Sequence, residues 1–148
     1  METTTEIITI RNLFNTAHAI KEDCTKLEKV CDNNDNKLIQ AYHAAAKMVS
    51  SKYIINPFIS IKVFNAGKNE LENLILTNPD DTEMRFLRYT IQMNTPKFIG
   101  YYKNKTEDRK KVIEYLSQNQ NSELSLHMLI YLTNTNDLNE EEKSIIIS

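Results

Sequence analysis

Two glycines and three prolines punctuate 148 residues, and this scarcity constrains the fold more than any other feature of the chain. A sandwich or barrel needs a turn every ~8–12 residues, and turns draw on Gly and Pro. A chain with so few breakers must run in long segments with few reversals, which favours helices. Its length is enough to bury roughly two-thirds of the extended surface, so one self-sufficient core is expected. No Pro-, Gly- or Ser-rich linker interrupts it, and residues 1–148 read as a single all-α domain.

Apolar periodicity gives the same answer segment by segment. Ile7, Ile10, Leu13, Phe14 and Ala17 predict a first helix over 4–16. Ile20, Cys24, Leu27 and Cys31 recur at i, i+4, i+7 and i+11, the stripe of an amphipathic second helix. Asp32-Asn33-Asn34-Asp35-Asn36 ends it, because short polar side chains compete for backbone hydrogen bonds. A third helix over 37–53 carries Leu38, Ala41, Tyr42, Ala45, Met48 and Val49. Asn56-Pro57 opens a fourth over 57–77, with Ile61, Phe64, Gly67, Leu71, Leu74 and Ile75 on its apolar face. Gly67 lies mid-helix, where glycine costs about 1 kcal/mol relative to alanine, so a close helix crossing is expected there.

Asn78-Pro79 ends that helix, and Asp81 or Thr82 caps a fifth over 81–94, with Glu83 in its first turn. Thr95-Pro96 leads into an aromatic loop, Phe98-Ile99-Gly100-Tyr101-Tyr102. Thr106, with Glu107 and Asp108, opens a sixth helix carrying Val112, Ile113 and Leu116. Ser122 starts a seventh, and Asn139 with Glu142 forms a capping-box pattern for a short last helix through Ile147. Short connections predict antiparallel neighbours.

Within this pattern Gly67, Leu71, Leu74 and Pro79 are spaced as in the second helix of a tetratricopeptide-type hairpin and its exit turn. The stretch from about 55 to 101 resembles a tetratricopeptide-like helical repeat, within a group of small uncharacterised bacterial helical proteins. The departures are Ser51, Ile54, Ile55 and Phe58 in the preceding segment, interrupted by Pro57, and Arg85, Arg88, Tyr89 and Gln92 in the following one. The resemblance implies an antiparallel helical-hairpin array of seven or eight helices, a right-handed α-α superhelix, and no activity.

The net charge of −2 lacks the basic excess of a nucleic-acid-binding domain, and Arg109-Lys110-Lys111 reads as a solvated helix face after two acids. No apolar run approaches the ~20 residues of a membrane span. Met1-Glu2-Thr3-Thr4-Thr5-Glu6 lacks the basic and apolar regions of a signal peptide, so a cytoplasmic chain with no membrane partner is expected.

Candidate chemistry is sparse. Cys24 and Cys31, about 10 Å apart along one helix, are too distant for a disulfide and fall on its apolar stripe, so they read as core thiols. His18, His43 and His127 are isolated, and Glu140-Glu141-Glu142 reads as helix capping rather than a calcium loop. Phosphate-cradling and nucleophile-elbow motifs are absent. No catalytic residue, cofactor or metal ligand is implied.

The fifth helix is the one oddity. Met84, Phe86, Leu87, Tyr89, Ile91 and Met93 cover most of it, and Arg85, Arg88 and Gln92 form a narrow polar stripe. The plain expectation is a solvated stripe or an ion pair with Glu72 or Glu83. The functional expectation is a groove in which Arg85, Arg88 and Gln92, with Lys62, Lys68 and Tyr101, grip a carboxylate or peptide backbone. A non-enzymatic module that binds a protein or peptide is the leading reading. A small-ligand binder or enzyme, with its site near helix 81–94 and loop 98–102, is the alternative.

Overall fold

The computed structural model describes residues 4–147, with side chains from 5 to 146. The reading of the first three residues, and of the Ile147 side chain, lies outside them. Eight α-helices and no strand occur among the described residues: α1 (Thr4–Ala17), α2 (Lys21–Cys31), α3 (Lys37–Ser50), α4 (Pro57–Thr77), α5 (Thr82–Asn94), α6 (Lys105–Gln118), α7 (Glu123–Thr133) and α8 (Glu140–Ile147). The chain divides into two compact units, Met1–Asp80 and Asp81–Ser148, which meet in sequence at the turn after Pro79. Residues 55–101, expected from sequence to be repeat-like, are therefore shared, with α4 in the first unit and α5 in the second.

In the first unit each helix packs on the next, and α3 with α4 forms the most extensive pair. Ala41, Ala44, Ala45 and Ala46 are buried on α3, and their small side chains admit α4 closely. A Cβ built on Gly67 falls 2.6 Å from the Ala44 carbonyl oxygen and 3.0 Å from both Lys47 Cβ and Met48 Cγ. The expected close crossing is thus present. Ser60 Oγ donates to the Ser51 carbonyl at 2.7 Å and Lys47 Nζ to Glu70 Oε1 at 2.7 Å. The partners run in opposite order along the two helices, so α3 and α4 are antiparallel.

The loop before α3 works as its asparagines suggest. Asn33 takes a left-handed conformation (φ 53°), tolerable for a short amide side chain. Asn34 Oδ1 accepts from the Asn36 amide at 2.8 Å, and Asn36 Oδ1 caps α3 by accepting from the Ile39 amide at 3.0 Å. Asn56 caps α4 with Pro57 at the first position, and Asp81 caps α5 by accepting from the Met84 amide at 2.9 Å.

Several sequence expectations need correction. α3 stops at Ser50 and continues as a single 3-10 turn, Ser51–Tyr53. Ile20 is the residue before α2 and is 44% exposed, so the buried stripe begins at Cys24. On α4 the buried face is Phe64, Gly67, Leu71 and Ile75, whereas Ile61 points outward and Leu74 is half-buried. α6 opens at Lys105 after Asn104, ahead of Thr106.

The second unit is organised around α6, which packs on α5, α7 and α8. Its core gathers Phe86 and Tyr89 from α5, Val112, Ile113 and Leu116 from α6, Met128 and Leu132 from α7, and Leu138. Edge-to-face rings tie it together, with Phe86 against His127 at 5.4 Å and against Tyr131 at 5.8 Å. The capping box of α8 is complete: the Glu142 amide donates to Asn139 Oδ1 at 2.8 Å, and the Asn139 amide to Glu142 Oε1 at 3.0 Å.

Candidate functional site

α5 is buried along ten consecutive residues, Glu83 through Gln92, so its polar stripe is neither solvated nor the floor of an open groove. Arg88 forks onto Asp108, with Nε at 2.7 Å from Oδ2 and Nη2 at 2.8 Å from Oδ1. Arg85 Nη1 reaches Glu107 Oε1 at 2.6 Å and Asp108 Oδ1 at 3.2 Å. Asp108 is fully buried, whereas the Glu107 side chain is 60% exposed. The hydrogen bond from Arg85 holds the Glu107 carboxyl below its usual range.

Gln92 completes the rail. Its Nε2 donates to Asn104 Oδ1 at 3.0 Å and its Oε1 accepts from the Asn104 amide at 3.0 Å. As the stripe advances from 85 to 92, its partners step back from 108 to 104, which makes α5 and α6 antiparallel. The Asn104 side chain, at the N-cap position of α6, is held by Gln92 and makes no cap.

Glu107 and Asp108, which the sequence expectation does not name, are thus carboxylates that meet the arginines. Tyr101 is buried, while its loop neighbour Phe98 is 87% exposed. Gly100 makes that loop's turn at φ 81°, a conformation favouring glycine. Lys62 and Lys68 belong to α4, in the first unit.

A second polar network escaped the sequence reading. Arg109 donates from Nη1 to Asp137 Oδ2 at 2.8 Å and from Nε to Glu142 Oε2 at 3.0 Å, and Tyr89 OH donates to Asp137 Oδ2 at 3.0 Å. Arg109 is therefore a part-buried tie between α6, the 137 loop and α8, and not part of a solvated face. Only Glu142, at the capping-box position, could have hinted at it. Burial, chiefly, pushes the Tyr89 phenol well up, helped by Asp137.

Both cysteines are free and buried. Burial pushes the Cys24 thiol up to about 11, reinforced by Glu28, and the Cys31 thiol up to about 12. At pH 8 the thiolate of Cys24 is then about one part in a thousand, so both should resist thiol reagents until the protein unfolds. Rapid labelling of two thiols in the folded protein would contradict their burial. No group of three or more metal-capable side chains converges among the described residues.

One cleft in the first unit, about 370 Å³, is lined by Asn33, Asn34, Gln40, His43 and Asn73 above the buried Cys31. It is a shallow amide-rimmed surface feature; His43 Nε2 there lies 3.7 Å from Asp32 Oδ1.

The most exposed apolar group lies at the start of α4. Ile55 is 99% exposed, Phe58 83%, Ile59 51% and Ile61 53%. Ile55 precedes the cap, where an apolar residue ordinarily packs against the fourth helical position. That position is Ser60, whose hydroxyl is turned to the Ser51 carbonyl, so no such apolar partner is offered to Ile55. The pairing of an apolar residue before the cap with a serine at the fourth position is a sequence signal that the periodicity reading passed over.

Comparison with protein-family models, with curated proteins and with solved structures returned no match. No helix among the described residues is long and apolar enough to cross a membrane.

Proposed function

We propose that this protein is a docking module that holds a protein partner on the apolar turn at the start of α4. The observation that carries the reading is the closeness in sequence of Ile55, just before the cap, and Phe58 and Ile59 in the first turn of α4, three large apolar side chains each more than half exposed. Contiguous exposed apolar surface marks an interaction site more often than isolated exposed residues do. The polar side chains that would otherwise recommend a reactive centre, Arg85, Arg88 and Gln92, are engaged with Glu107, Asp108 and Asn104. The reading also accords with the resemblance of residues 55–101 to helical-repeat proteins, whose role is to present helix surfaces.

Phe58→Asp tests it. The side chain is exposed, so stability should move by no more than about 0.5 kcal/mol. A partner recovered from native lysate by the wild-type protein should fall by about ten-fold or more, the loss of one apolar anchor. Undiminished recovery by the folded variant would place docking elsewhere.

A further inference from the structure

Between Asp35 and Glu70 the chain carries Lys37, Lys47, Lys52, Lys62 and Lys68 and no carboxylate. The whole chain has a net charge of −2, so those five positive charges leave −7 for the remaining residues. The exposed apolar turn sits inside this one-signed segment. Lys62 lies one helical turn beyond Phe58 and Ile59, on the same face, and is itself exposed. Lys52, also exposed, precedes Ile55 by three residues, and its ammonium rests against the His18 carbonyl oxygen and over the Tyr53 ring. The first turn of α4 has no acidic residue, so the positive end of the helix dipole adds to the same sign.

Of these lysines Lys47 is paired with Glu70 at 2.7 Å, and Lys62 is the exposed one beside the apolar centre, which it gives a positive rim. Two copies of this turn carry the same positive sign, so like-charge repulsion opposes self-association. We propose that the start of α4 receives an amphipathic helix of a protein partner, one whose apolar stripe is bordered by Asp and Glu. This rests on the docking reading above and adds the chemistry of the partner. Ile55, Phe58 and Ile59 fill against the stripe. Lys62 meets a carboxylate at the rim, where charge contributes partner choice and association rate more than raw affinity.

The test uses two labelled helical peptides of about 18 residues, five turns, with the same leucine stripe. One is bordered by glutamate, the other by lysine. Vesicles of phosphatidylcholine and phosphatidylserine at about 3:1 serve as an anionic surface without protein. The glutamate-bordered peptide should bind about ten-fold more tightly or better, and added salt should erode the difference. Lys62→Glu should reverse the preference, and Phe58→Asp should abolish binding of both peptides. Equal binding of the two peptides, still lost with Phe58→Asp, would overturn the acidic border and leave the docking reading standing. Absence of binding to either peptide would overturn the proposed occupant, while the lysate measurement with Phe58→Asp judges docking separately. Vesicle binding lost with Lys62→Glu, without a peptide preference, would assign the surface to anionic lipid and overturn the proposal.

Discussion

Asp108→Ala is expected to lower the free energy of unfolding by about 3–5 kcal/mol, because it leaves the guanidinium of Arg88 buried without the carboxylate it forks onto. Arg88 is 4% exposed and Arg85 8%, so bulk water does not solvate the guanidiniums in place of the carboxylate. Glu107 would hold Arg85 in part, through the 2.6 Å contact at the surface end of the cluster. Two further variants separate a structural role from an overestimated one. Arg88→Ala should also destabilise, by less, because the buried Asp108 loses its fork but keeps the 3.2 Å contact with Arg85. The triple change Arg85→Met, Arg88→Leu and Asp108→Leu should recover most of the loss, since apolar residues of similar volume often replace a buried ion group at little cost. Urea unfolding of the four proteins is the measurement. An unchanged midpoint for Asp108→Ala would show that the arginines do not depend on it.

Gly67→Leu is the second large effect. A leucine there must displace a backbone carbonyl, because even a single Cβ would sit 2.6 Å from the Ala44 oxygen. The Met48 side chain can swing its Cγ away, but Lys47 Cβ at 3.0 Å and the Ala44 carbonyl are fixed to the α3 backbone and can move only if α3 and α4 separate. Overpacking that forces backbone shifts costs about 1–3 kcal/mol, occasionally more. Gly67→Ala should also destabilise, although alanine is the better helix former by about 1 kcal/mol, because the clash is with the first atom it adds. Stabilisation by Gly67→Ala, read as a raised melting temperature, would mean that the two helices are not in close contact at this position.

Local signals were legible where the chain resolves its own geometry. The bounds of α4 follow from Asn56-Pro57 and Asn78-Pro79, and the α8 capping box from Asn139 and Glu142, because each depends on residues three or four apart. The glycine crossing was legible too, since a mid-helix glycine needs a packing reason. The partners of Arg85 and Arg88 were not, because Asp108 lies 20 residues from Arg88 and is chosen by how α6 folds back on α5. The same folding engages Asn104, the residue before α6, with Gln92, so α6 opens without a side-chain cap. Ile61 was assigned to the wrong face of α4 because the helix is apolar on several sides at its start. Periodicity locates a stripe only where polar residues bound it. The same ambiguity covers Ile55, Phe58 and Ile59, whose exposure is set by the packing of the folded chain.

The docking account is tested most directly by hydroxyl-radical footprinting of the protein alone and in the complex it forms in native lysate. Ile55, Phe58, Ile59 and Ile61 should become protected in the complex, while Phe98, Leu126 and Ile130, exposed apolar residues of the second unit, keep their reactivity. Protection at Phe98 or along α7, with the start of α4 unchanged, would contradict the account.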